Sequence, residues 1–121
     1  MATVLEERKQ GAVQTTDATK TTVITCPMPD NSVILFDCFI VGLKSDGSQG
    51  AGYKIGTSYR RTGAGNATII GTPTKNVEHE DDVNWDASSE ASGANILITV
   101  TGKAATTVNW CAYGRALTYT P

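Results

Sequence analysis

The strongest pattern in the chain lies between residues 33 and 42. Its even positions, Ile34, Phe36, Cys38 and Ile40, are all apolar. Its odd positions, Val33, Leu35, Phe39 and Val41, are apolar too, and only Asp37 breaks the run. Strand side chains alternate between two faces. The segment Val33–Gly42 therefore predicts a strand that is apolar on both sides, either central in a sandwich or covered on its outer face by a partner. Val33, Leu35, Phe39 and Val41 are candidate oligomer-interface residues, with a place in the core as the competing reading.

The rest of the chain from residue 15 reads as strand, turn, strand. Thr21–Cys26 is a β-branched run stopped by Pro27 and Pro29. Ala51–Thr62 alternates, with Tyr53, Ile55, Thr57 and Tyr59 on one face and Lys54, Ser58 and Arg60 on the other. The tight turn Gly63-Ala64-Gly65-Asn66 leads into Ala67–Thr72. A more polar strand follows over Thr74–Glu80, then Asn84–Glu90, Asn95–Thr101 and the long final strand Thr106–Thr120. Turns every 8–14 residues and about eight strands predict an all-β antiparallel sandwich or barrel. Residues 1–14 carry Glu6, Glu7, Arg8 and Lys9 in a row and predict a flexible arm or short helix ahead of a domain over residues 15–121.

Composition narrows the classes. Thr, Val and Ile supply 35 of 121 residues and 12 glycines lie among them, which suits strands and turns and disfavours a helical bundle. Ten Lys+Arg against 12 Asp+Glu leave a net charge of −2, without the basic footprint of a nucleic-acid binder. No apolar run reaches the ~20 residues of a membrane helix. Met1–Gln10 has no signal-peptide stretch, which points to synthesis in a cytoplasm. Cys26, Cys38 and Cys111 lack C-x-x-C spacing. They read as buried reduced thiols, with one disulfide and a leftover thiol as the alternative.

The candidate chemistry is sparse. His79 is the single histidine and sits in Glu78-His79-Glu80-Asp81-Asp82. Alternation turns both glutamates away from it, and zinc needs three or four converging ligands. The segment reads as a solvated acidic turn, with a hard-cation site at Asp81 and Asp82 as the alternative. No Ser–His or Cys–His pairing is suggested by the spacing, so neither an enzyme nor a cofactor is expected. Arg60-Arg61 before the glycine-rich turn lacks the Gly-Lys-Ser/Thr ending of a phosphate loop. It reads as an exposed hairpin tip. Asp46, Gln49, Arg60, Arg61 and Asn66 are candidate loop contacts. Trp85 and Trp110 read as core, with sugar stacking by Trp85 or Tyr59 as the alternative.

Several segments together resemble a family of small β-sandwich domains in tailed-phage virions. Thr15-Thr16-Asp17-Ala18-Thr19-Lys20-Thr21-Thr22 resembles the family's opening "T-x-D-A-T-x-T-T", and Gly52-Tyr53-Lys54-Ile55 its "G-Y-x-I/L" strand. Val77-Glu78-His79-Glu80-Asp81-Asp82-Val83-Asn84-Trp85-Asp86-Ala87 resembles its "x-E-D-x-x-W-D-A" signature. Ile98-Thr99-Val100-Thr101-Gly102 followed by Thr107-Val108-Asn109-Trp110 resembles its closing hairpin. The likeness runs in order over residues 15–119, while Asp37 and Cys38 depart from the family's basic or small residues. It implies a jelly-roll-like sandwich, a homotrimer and no catalysis. Fibre versions of the domain hang on a longer shaft, so a chain of an arm plus one domain points to a capsid decoration or cement protein of the virion. Its partners would be other copies of itself and the major capsid protein or other virion proteins, with no nucleic acid and no membrane. Val4, Leu5, Glu6, Glu7, Arg8 and Lys9 are the shell-anchoring candidates. A tail-fibre or baseplate appendage touching the host surface, with carbohydrate as a candidate ligand there, is the alternative.

Overall fold

The computed structural model describes residues 2–121. In chain order the strands are β1 (Thr3–Thr15), β2 (Thr21–Pro27), β3 (Ser32–Lys44), β4 (Gly50–Arg61), β5 (Ala67–Ile69), β6 (Thr74–Glu80), β7 (Asp86–Ser92), β8 (Asn95–Thr101) and β9 (Val108–Thr120). All pairings are antiparallel. The large sheet runs β1-β9-β3-β4-β5, with β6 also paired to β4, and the small sheet runs β2-β8-β7. The chain is an all-β sandwich, as its alternation predicts, with nine strands in place of about eight. The first strand nests against the last, β1 on β9, and β2 pairs with β8 in the facing sheet.

The extra strand is a correction. Residues 3–15 are neither a flexible arm nor a short helix but a 13-residue edge strand, paired with β9 from Thr3↔Thr120 to Thr15↔Val108. Their charge masked the pattern. Edge strands commonly carry charged residues, and the outward positions here include Glu6, Arg8 and Gln10. Without β1, the 13-residue β9 would leave a row of backbone N–H and C=O groups unpaired. β1 also crosses close to β2: a Cβ at Gly11 would lie 2.2 Å from the Val23 carbonyl oxygen. The site is beside the register shift between Thr22 and Ile24.

The core lies between the sheets. Ile34, Phe36, Cys38 and Ile40 of β3 point inward with Tyr53, Ile55 and Tyr59 of β4 and Trp110, Ala112 and Ala116 of β9. They meet Ile24, Cys26, Ile96, Ile98 and Val100 of the small sheet. Phe36 packs over Gly114, where a Cβ would lie 2.4 Å from its ring, so the absent side chain leaves the space that the ring fills. Trp85 and Trp110 pack edge to face at 5.7 Å. Both are core residues, and so is Tyr59. Burial removes Trp85 and Tyr59 from any role in stacking on sugar.

β5 and β9 are shorter than the pattern suggests, and β7 keeps its length but is shifted by two residues. β5 stops at Ile69, ahead of Gly71 at φ +68°. β7 starts at Asp86, because Asp82–Trp85 is a turn closed by the Trp85 N–H donating to the Asp82 carbonyl.

Candidate functional site

The two sheets differ on their outer faces. The small sheet carries hydroxyls there, with half-buried Ser88 and buried Thr99 hydrogen-bonded across β7 and β8 at 2.8 Å. The large sheet presents apolar groups. The same alternation that buries the even side chains of β3 sends Val33, Leu35, Phe39 and Val41 outward, 41%, 55%, 46% and 54% exposed. All four candidate interface residues thus lie on one outer surface of the chain rather than in its core. The register places more apolar groups beside them: Tyr119 opposite Val33, Leu117 opposite Leu35 and Tyr113 opposite Phe39. Phe39 and Tyr113 stack at 6.1 Å. Leu43 extends the face at one end and Ile70 lines a shallow depression of about 290 Å³ with Val33, Leu35, Leu117 and Tyr119 at the other.

A charged band crosses the middle of this face. Arg8, Arg115 and Asp37 share one register row across β1, β9 and β3. Arg115 pairs with Glu6 on the neighbouring strand, and that carboxylate holds its pKa above the usual arginine value. Arg8 sits over the Tyr113 ring at 4.8 Å, and Lys54 over the Phe39 ring at 5.4 Å. Among the described residues Asp37 has no cation within ion-pair distance.

The shell-anchoring candidates all belong to β1. Val4 and Leu5 are exposed at its far end. Glu6 and Arg8 join the outer face, while Glu7 and Lys9 pair with each other at 3.2 Å on the inward, half-buried side.

The loop candidates divide. Asp46 is exposed but caps its own turn, accepting from Ser48 N and Oγ at 2.9 and 2.6 Å, and those bonds lower its pKa. Gln49 is half-buried, and its carbonyl accepts from Lys44 N. Arg60 and Asn66 are exposed. Arg61 is not an exposed contact, which is a correction. Its guanidinium donates to the carbonyls of Met28, Ala64 and Gly65 and pairs with Asp30 at 2.7 Å, so it ties the β2–β3 loop to the β4–β5 turn. Arginine's planar fork suits this multiple clamp.

The acidic segment is committed to the fold. Glu80 accepts from the Tyr53 hydroxyl and Asp81 from Gly50 N–H at 2.8 Å. Asp82 accepts from Asn84 N and Nδ2 and pairs with Lys103 at 3.2 Å. The Asn84 bonds chiefly hold its pKa down. Asp82 is buried, so the turn is less solvated than its composition suggests. His79 is exposed in an open trough with Gly50, Gly52 and Glu78. Among the described residues no group of three His, Cys, Asp or Glu side chains is placed to hold a metal ion. The cysteines are unpaired, with Cys26 and Cys38 buried and Cys111 exposed on the outer face of β9, against the expectation of three buried thiols. Burial, helped by Asp37, pushes the Cys38 thiol up to about 12.

Residues missed from the sequence are Leu117, Tyr119, Arg115 and Leu43. Leu117 and Tyr119 continue the odd-position pattern of Cys111, Tyr113 and Arg115. What the pattern lacked was the knowledge that β9 lies beside β3.

Fold and face together define an all-β sandwich whose larger sheet is apolar on both sides. No protein-family model matches the chain, and no curated protein matches it. Among solved structures, the tailspike protein of Acinetobacter baumannii phage AM24 is similar in chain path, with a TM-score of 0.47 and 9% identity over 96% of this chain and 26% of that one. The chain thus spans about a quarter of the length of that tailspike.

Proposed function

We propose that the chain is a non-enzymatic structural protein of a phage virion, a decoration or cement protein that stabilises the head as a homo-oligomer. The observation that carries the assembly reading is the outer face of the large sheet. A monomer gains nothing from holding Leu35, Val41, Leu43 and Leu117 about half exposed on one surface, and large apolar patches mark interaction sites. Burying the remaining half of each contributes about 1 kcal/mol. The mechanism is passive: apolar burial between subunits, bridging neighbouring capsid proteins. The virion setting is supported by the sequence resemblance over residues 15–119. The absence of a catalytic role is supported by an exposed His79 and a neutral, buried Cys38 thiol.

Immunogold labelling of phage particles with antibody to the purified chain tests the reading. The expected result is label at many points over the head. Label confined to the tail overturns decoration in favour of an appendage, and unlabelled particles overturn the virion setting.

A further inference from the structure

We propose that the outer face of the large sheet is self-complementary. A second copy of the chain closes it about a two-fold axis that runs parallel to the strands, between β9 and β3. The inference deepens the assembly reading and rests on it, and it puts a two-fold contact in place of the homotrimer that the family resemblance implies.

The register carries the argument. Arg115 lies beside Asp37, Leu117 beside Leu35 and Tyr113 beside Phe39. A half-turn about an axis along the strands lays β9 of one copy on β3 of the other, with every row kept at its own height. Arg115 then meets the Asp37 of the second copy, twice in each dimer, and supplies the cation that Asp37 lacks among the described residues of one chain. Leucine rows meet leucine rows and aromatic rows meet aromatic rows. An axis across the strands instead sets Arg115 on Arg115 and Asp37 on Asp37, which opposes like charges. Charge placement therefore selects the axis, and a two-fold contact is by nature the same patch used twice.

Shape agrees. β1 comes to lie over β4 of the second copy, and the row of Arg8 there holds Gly56, with open space where a side chain would stand. Packed sheets cross at about 30°, which keeps the rows nearest the centre aligned, and Asp37 is near the middle of β3. Four strands over the length of Val33–Leu43 give a footprint of about 700 Å². That is close to the roughly 800 Å² per partner of a standard interface.

The test is the solution mass of the purified full chain, measured by analytical ultracentrifugation across the micromolar range. The expected result is twice the chain mass. Asp37→Arg alone and Arg115→Asp alone each weaken pairing by about tenfold or more, since desolvated like charges are strongly unfavourable. The double variant Asp37→Arg/Arg115→Asp restores it. Should a swap variant fail to fold, Asp37→Asn keeps the volume, drops the charge and carries the same expectation of weaker pairing. A mass of three chains, or a double variant no better than the singles, overturns the two-fold arrangement. A monomer that still labels the particle places another virion protein on the face; it overturns the second copy and leaves the virion reading standing. A dimer found on no particle does the reverse.

Discussion

Trp85 and Trp110 touch edge to face, yet their indole N–H groups have different fates. Trp110 Nε1 donates to Thr15 Oγ1 at 3.0 Å inside the core. Trp85 Nε1 is buried without an acceptor among the described residues. The same substitution should therefore cost different amounts. Both Trp→Phe changes leave a void, but only at position 110 does the change also strip Thr15 of its partner. Trp85→Phe removes an N–H that already lacks one. Urea unfolding should find Trp110→Phe less stable than Trp85→Phe by about 1 kcal/mol. Equal losses would mean that the Thr15 bond contributes little.

Cys38 gives a second prediction, in pH. In the unfolded chain its thiol ionises near 9.0, whereas burial in the folded core, with Asp37 nearby, raises it to about 12. Above pH 9 the unfolded state has shed a proton that the folded state keeps, so stability falls as pH rises. The loss runs through the window from about 9 to about 12 and is absent below it. Tyr53, raised by burial and by its bond to Glu80, adds to the fall above its ordinary value of 10.0. Thermal melts should show a flat region up to pH 9 and a decline beyond it. That decline should be shallower in Cys38→Ala, whatever that variant loses at neutral pH. Near pH 8, at a dilution where the chain is monomeric, a hydrophilic thiol reagent should label one cysteine per folded chain, the exposed Cys111.

At the scale of elements, β1 is the instructive case. Deleting residues 1–14 would not simply remove an anchor from an otherwise intact sandwich. It would strip the whole edge of β9 and the close crossing at Val23. A truncation through Gln14 should lower the melting temperature by several degrees and promote association through the exposed β9 edge. Removing only residues 1–5 should change the melting temperature little, because Val4 and Leu5 are exposed. Circular dichroism melts of the two truncations decide the matter, and equal stability would restore the picture of a detachable arm.

The contrast with β3 shows what the sequence could reveal. β3 is bracketed by turn residues and alternates through apolar side chains, so its existence and both faces were legible. β1 alternates as well, but through Glu, Arg, Lys and Gln, and its strand character comes from the unpaired edge of β9, more than 90 residues away. The core was legible for the same reason as β3. The outer face was legible only along β3, because its other half depends on β9 lying alongside. Arg61 reads as exposed in the sequence because its four partners come from two turns that only the fold brings together.

The whole molecule is asymmetric: three strands cover six. The inner face of the large sheet is covered by the small sheet, whereas its outer face has the apolar content of a buried layer with no layer on it. If that face serves assembly and not folding, its side chains can be made polar without loss of the chain's own stability. Leu35 and Val41 are 55% and 54% exposed, so a Leu35→Lys/Val41→Lys double variant removes little from the monomer core. Its unfolding free energy, measured at a dilution where both proteins are monomeric, should stay within about 0.5 kcal/mol per site, the range of ordinary surface changes. Its solubility should rise, and any concentration dependence of the wild-type melting temperature should disappear, since that dependence reports association linked to folding. A matched change at an inward position, Ile34→Lys, should unfold the chain, because it places an unpaired charge in the core. Should the double variant instead unfold like Ile34→Lys, the outer face would be part of what holds the single chain together, and its exposure would be no sign of a partner.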